Sequence, residues 1–217
     1  MKPAAVLFDM DGTLVDSERV WGLALAELAV HAGGVLSDRA RLAMVGTSMG
    51  TSMQLFRDDL GLPDRPEEPD VRWLTERVRA LFAEGLVWRP GAMELLAAVR
   101  AAGIPTALVT STGRSLVEVA LKTLGPANFD VVVCGDEVQR PKPDPEPYVT
   151  AAALLGVPIT ACVAVEDSPS GVASAVAAGA RVLAVPAELE LAPVDGVHLR
   201  TTLTGVDPVF LATLLTV

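Results

Sequence analysis

The sequence predicts an α/β fold: a Rossmann-like parallel sheet core flanked by helices, with an inserted all-helical cap domain. Beyond residue 89, helix-length amphipathic stretches alternate with short β-rich runs bounded by Gly and Pro, the pattern of parallel strands joined by crossover helices. Between about Val15 and Trp88 no strand signal occurs, only helix-length segments, so a helical unit sits between the first strand and the second α/β repeat. With 217 residues, 51% hydrophobic and 20% charged, the chain can bury the core such a fold requires. The expected division is an α/β core of residues 1–14 and 89–217 and a helical cap of residues 15–88.

The first element is the apolar run 4–8, read as a strand that delivers Asp9 and Asp11 to its C-terminal edge, with Gly12 freeing the backbone to turn. In the insert, helices are expected around 17–32, 38–44, 51–60 and 71–84, with 63–69 a polar loop. Residues 90–102 carry Leu95, Leu96, Val99 and Ala102 on one helical face, with Pro at the start and Gly103 past the end. A strand follows at 104–110. Residues 114–124 repeat the device, with Leu116, Val117, Ala120, Leu121 and Leu124 inward and Gly125 as a stop. Strands are next expected at 130–134, 161–165 and 181–185. Helices between them open at Asp144-Pro145 and Ser168-Pro169 and stop near Gly156 and Gly179. Asp207-Pro208 starts a last apolar helix, and 186–205 carries no assignable pattern.

Composition removes several functional classes. No apolar stretch approaches the ~20 residues needed to span a bilayer, so no membrane partner is expected. A net charge of −10 argues against nucleic acid, which is held by clustered Lys and Arg. It does not argue against a small phosphorylated ligand, because local cations prevail over a global field that salt screens beyond roughly 10 Å. The two cysteines, Cys134 and Cys162, lie in apolar strand-like runs without zinc-site spacing and read as packing residues. The start, Met1-Lys2-Pro3-Ala4, runs directly into the first strand, and a cytoplasmic protein is expected; the oligomeric state is left open, with a monomer favoured.

Polar groups recur where strands should end: Asp9 and Asp11, then Thr110 with Ser111 and Thr112, then Lys142, then Glu166 with Asp167. Parallel strands bring them to one edge, and crevices outside such edges are where open α/β sheets bind ligands. Alone, the Asp pair is also compatible with an acidic surface turn. The helical insert beside the first strand suits a lid over that edge.

Four ordered motifs carry a stronger reading: Asp9-Met10-Asp11-Gly12-Thr13-Leu14, Val109-Thr110-Ser111-Thr112, Arg140-Pro141-Lys142-Pro143-Asp144-Pro145 and Val165-Glu166-Asp167-Ser168. With the insert, this set resembles the haloacid dehalogenase superfamily of phosphotransferases, in the subgroup whose helical cap lies between the first and second motifs. The resemblance covers the chain from Ala4 to about Val185. It implies that Asp9 is the nucleophile that forms an aspartyl phosphate and that Asp11 is the general acid and base. It further implies that Thr110, the Ser111 backbone N–H and Lys142 bind the phosphoryl group. Asp9, Glu166, Asp167 and a phosphate dianion would gather about five negative charges at close range, which demands cations. Lys142 supplies one. Mg²⁺ is the cofactor implied, held by Asp9, the Asp11 backbone carbonyl and Asp167, with Glu166 acting directly or through water.

Within the superfamily, Asp11 favours phosphate chemistry over dehalogenation. The insert has no lysine for the Schiff base of a phosphonate hydrolase, and Trp21 stands where β-phosphoglucomutase-like enzymes carry a cap histidine. The expected activity is therefore hydrolysis of a small phosphorylated metabolite, a sugar phosphate first. A β-phosphoglucomutase-like or phosphoglycolate phosphatase-like enzyme is the alternative. A non-enzymatic phospho-acceptor switch is the rival from another class, although such modules are usually shorter and lack the insert. Specificity is expected from Trp21 and the cap loop Gly46, Thr47 and Ser48, with Arg57 or Arg19 meeting a second anionic group. Ser168 is read as a helix start, and His31 and His198 are assigned no role.

Overall fold

A computed structural model describes residues 2–216. Six parallel strands form one sheet in the order β3-β2-β1-β4-β5-β6. They are β1 (Ala5–Phe8), β2 (Thr106–Val109), β3 (Val131–Val133), β4 (Cys162–Glu166), β5 (Arg181–Ala184) and β6 (Val197–Leu199). Alternate residues face opposite layers, as a strand's period of two requires. Val6, Phe8, Leu108, Val163, Val165 and Leu183 join one apolar core, which also receives the inner faces of α5 (Ala92–Ala101), α6 (Arg114–Leu124) and α9 (Pro208–Thr213). Ala5, Leu7, Val109, Ala164 and Val182 face a second core under α7 (Glu146–Leu154) and α8 (Pro169–Ala178). Cys134 and Cys162, both buried and unpaired, belong to opposite cores and so serve as packing residues.

The strand order reverses between β1 and β4, and the crevice beyond the C-terminal ends of these neighbours is the switch-point position of an open α/β sheet. Asp9 leaves β1 there, Glu166 ends β4, and Thr110 follows β2.

The insert consists of α1 (Glu18–His31), α2 (Asp38–Met44), α3 (Met49–Leu60) and α4 (Glu67–Ala83). Its entry and exit segments run side by side: Val15 bridges Trp88 antiparallel, Asp16 N–H donates to Val87 O at 2.8 Å and Arg89 N–H to Leu14 O at 2.9 Å. Leu28, Met53, Phe56, Leu74, Val78 and Phe82 fill the cap interior and join the core beneath. No helix among the described residues is long and apolar enough to cross a membrane.

Two local readings of the sequence need correction. The polar loop expected at 63–69 ends early, because α4 begins at Glu67. Pro69 is tolerated there, since the first-turn N–H it lacks has no intrahelical acceptor. Arg65 holds the buried Asp70 of that turn in a fork, at 2.6 and 2.8 Å. The segment without assignable pattern contains β6, whose three residues are too few to display alternation and too exposed to read as core. His198 on β6 lies edge-on to Phe210 and His31 stacks on Trp73, both at exposed positions away from the strand-edge crevice.

Candidate active site

The site grows from the turn after β1. Gly12 sits at φ 82, and a Cβ there would overlap the Asp167 carboxylate, so this turn needs glycine both for its conformation and for close approach. Thr13 Oγ1 then donates to Asp167 Oδ1 at 3.0 Å, tying the first motif to the last.

Lys142 is not at a strand end. It lies on the loop between β3 and α7 and is almost wholly buried. Its ammonium reaches across the sheet edge to donate to Asp9 Oδ1 at 2.7 Å, Glu166 Oε1 at 2.6 Å and the Val109 carbonyl at 2.9 Å. All three ammonium hydrogens are thereby used. Burial alone would lower its proton affinity, but Asp9 and Glu166 raise it above the ordinary lysine value. The cation is fixed.

Glu166 is fully buried, with both oxygens engaged. Oε1 also accepts from the Tyr148 hydroxyl at 2.6 Å, and Oε2 accepts from the Asp167 N–H at 3.1 Å and Ser168 Oγ at 3.3 Å. Gly171 allows this arrangement, because an added Cβ would overlap the Glu166 carboxylate. The Tyr148 ring lies beneath the Lys142 ammonium, 5.2 Å from its centroid, a cation–π position.

Asp9 is buried, and its Oδ2 has no hydrogen-bond partner. Burial pushes its carboxyl up to about 7. Lys142 pulls it down, while Glu166 and Asp11 add to the rise. Burial, reinforced by Asp9 and Glu166, likewise holds Asp167 well above the carboxylate range. Asp9, Glu166 and Asp167 each present an oxygen within 4.8 Å of the others. Three buried carboxylates against one ammonium, with one oxygen unpartnered, fit a divalent cation with a preference for hard oxygen ligands.

Asp11 faces the other way, toward the cap. Its Oδ1 accepts from Ser17 Oγ at 2.6 Å and the Trp21 indole N–H at 3.2 Å, and its Oδ2 accepts from Thr112 Oγ1 at 2.8 Å and Thr110 Oγ1 at 3.2 Å. Core and cap thus share this carboxylate. Thr110 Oγ1 also accepts from the Thr112 N–H at 3.0 Å. The Ser111 hydroxyl is buried without a partner, as Asp9 Oδ2 is.

Above Asp11, cap and core enclose a cavity of about 90 Å³, against the roughly 10–15 Å³ that one water requires. Trp21, Gly46 and Thr47 line it, as the sequence suggests, and Ser111, Thr112 and Gly113 close its core side. Ser48 is not among its walls; its hydroxyl caps α3 by accepting from the Thr51 N–H. Gly46 lets the cap loop touch the core, where Ser170 Oγ donates to its carbonyl and a Cβ would strike Ser168. Arg57 pairs with Glu67, and neither it nor Arg19 reaches the cavity; Arg41 lines it instead.

Sequence reasoning gave Thr112 a place but no role, and missed Ser17, Tyr148, Glu18 and Arg41. Ser17 stands at the N-cap of α1 but makes no capping bond, because its hydroxyl goes to Asp11. Thr112 was legible as the third member of a Ser/Thr run after a strand, whereas Tyr148, the one tyrosine of the chain, carried no signal.

Residues 3–179 match the model of a family described as haloacid dehalogenase-like hydrolase. The chain is 36% identical over 206 residues to hexitol phosphatase A of Escherichia coli K12, covering 92% of this chain and 90% of that one. It is 35% identical over 176 residues to a phosphorylated carbohydrates phosphatase of Thermotoga maritima, with 81% of each chain covered. Its structure is similar to that of CbbY from Rhodobacter sphaeroides in complex with xylulose-1,5-bisphosphate, with a TM-score of 0.82 at 31% identity, covering 94% of this chain and 96% of that one.

Proposed function

Because the chain belongs to the haloacid dehalogenase-like hydrolases, we propose that it is a Mg²⁺-dependent phosphomonoesterase that hydrolyses a small sugar or polyol phosphate through an aspartyl phosphate. The phosphatases named among its relatives support the substrate class. One observation carries the mechanism: Asp9 has one oxygen held by Lys142 and the other buried and unpartnered, as a nucleophile facing an incoming phosphorus requires. Residues 1–14 and 89–217 act as the catalytic core and residues 15–88 as the cap, a division supported by the antiparallel bridge between Val15 and Trp88.

Asp9 Oδ2 attacks phosphorus while Lys142, held by Glu166 and Tyr148, keeps the nucleophile oriented and offsets charge on the phosphoryl group. The ester bond breaks, and Asp11 passes a proton to the leaving alkoxide. Asp11 then takes a proton from the water that attacks the aspartyl phosphate, releasing inorganic phosphate and restoring Asp9. Thr110 and Ser111 border the phosphoryl position at the end of β2. Asp9 and Asp167 would hold Mg²⁺ with their carboxylates and Asp11 with its backbone carbonyl, while Glu166 stands behind them with its oxygens already engaged. When bound, the ion offsets the surplus negative charge and polarises the phosphoryl oxygens. The cap excludes bulk water from this exchange.

Phosphate release from p-nitrophenyl phosphate tests the reading. Activity should require Mg²⁺, be lost in chelator, and vanish in Asp9→Asn; full turnover in that variant or in chelator rejects the mechanism.

A further inference from the structure

The cavity above Asp11 is chemically uneven. Its apolar walls include Trp21, Leu25, Met44 and Leu74, and its hydroxyl-bearing residues are Thr47, Ser52, Ser111 and Thr112. Among the described residues, the charged groups lining it are Asp11, Glu18 and Arg41.

Arg41 is not free to receive an anion. Its stem runs past Gly22, and its guanidinium is tied to Glu188 of the core at 2.6 Å. Both partners are partly shielded, with side-chain exposures of 29% and 26%.

Glu18, at the first turn of α1, is buried at 7% exposure and makes no side-chain ion pair or hydrogen bond among the described residues. Burial, with Asp11, Glu188 and Asp9 adding repulsion and Arg41 opposing, pushes its carboxyl up to about 8. A carboxyl of that kind holds its proton near neutrality, and so both donates and accepts toward a neutral ligand.

Resting on the phosphatase reading above, we infer that the substrate is a monophosphate whose leaving group is an uncharged polyol, with Glu18 receiving one of its hydroxyls and the Arg41–Glu188 pair denying the cavity a free cation for a second phosphate. The apolar walls cover the carbon chain, while the Thr47 hydroxyl, which donates to the Met44 carbonyl at 2.9 Å, and the Ser52 hydroxyl, bonded to it at 2.8 Å, keep oxygen lone pairs to accept from the polyol's remaining hydroxyls. A second phosphate dianion would face the Asp11 carboxylate and a protonated Glu18, with the one guanidinium of the cavity already neutralised by Glu188, an arrangement that discriminates by like-charge placement at Asp11 and by the lack of a free cation.

Steady-state kcat/KM should be measured on the full chain with Mg²⁺ for a hexitol monophosphate, the corresponding hexitol bisphosphate and p-nitrophenyl phosphate. The monophosphate should be preferred over the bisphosphate by on the order of 100-fold. Glu188→Gln, which frees Arg41, should narrow that ratio by about tenfold through a gain on the bisphosphate. Glu18→Ala should lower kcat/KM for the hexitol monophosphate ~10–100-fold, chiefly through KM, and Glu18→Gln should restore most of it. A wild type that uses the bisphosphate equally well or better overturns the inference, as does a Glu18→Ala variant that keeps its hexitol monophosphate kinetics. If p-nitrophenyl phosphate is turned over in either case, only the substrate assignment falls. If it is not, the phosphatase reading falls and takes this inference with it.

Discussion

Glu18→Gln provides a test of the site's electrostatics that does not depend on turnover. The carboxyl is displaced from its ordinary 4.5 to about 8, chiefly by burial. The folded chain therefore binds a proton more tightly than the unfolded chain. The stability this proton contributes is fully present below pH 4.5 and is lost as pH rises through about 8. At 1.36 kcal/mol per pKa unit the ceiling is on the order of 4–5 kcal/mol, and the water-accessible cavity with Arg41 at its edge brings the expected loss to ~2 kcal/mol. The amide of Gln carries no such proton, so the variant should not lose stability in this way. For a chain of this size ~2 kcal/mol corresponds to roughly 4–8 °C in melting temperature. Thermal unfolding followed by tryptophan fluorescence, in chelator, at about pH 5 and about pH 8.5, should show the variant gaining that much on the wild type at the higher pH. Asp9 and Asp167 impose a slope of the same sign on both proteins, so the difference reports Glu18 together with its repulsion of these carboxylates. A difference between the two proteins that stays constant across this range would refute the argument.

Three other perturbations probe the rest of the site. Asp11→Asn should slow both formation and hydrolysis of the aspartyl phosphate by ~10²-fold, read by single-turnover kinetics, and unchanged rates would remove Asp11 from proton transfer. Tyr148→Phe removes a 2.6 Å donor to the buried Glu166 and should cost about 1.5–3 kcal/mol in urea unfolding; an unchanged midpoint would show that the hydroxyl is dispensable. Gly171→Ala places a Cβ on the Glu166 carboxylate and should destabilise by ~1–3 kcal/mol while lowering kcat through displacement of Lys142. Wild-type melting and turnover in that variant would mean that the carboxylate shifts freely.

How much of this was legible in the sequence follows from where each signal resides. The strands β1, β2, β4 and β5 are short apolar runs buried on both faces, and their punctuation by Gly and Pro announces them. The site residues Asp9, Asp11, Thr110, Glu166 and Asp167 were legible because parallel strands impose a common edge: once the strands are placed, the residues that follow them must meet. Lys142 was legible by its motif but not by this rule, since its loop, not a strand end, brings it to Asp9. The residues that stayed hidden depend on contacts no periodicity encodes. Tyr148 lies on a helix among alanines and matters only because α7 crosses beneath Lys142. Arg41 looks like any exposed helical arginine until Glu188, 147 residues further along the chain, arrives to hold it. That partner comes from the stretch of the tail with no assignable pattern, and this explains why the chemistry was readable while selectivity was not. Asp9, the proposed nucleophile, is set by the sheet and Lys142 by the loop after β3, whereas the charge balance of the cavity depends on how cap and core meet.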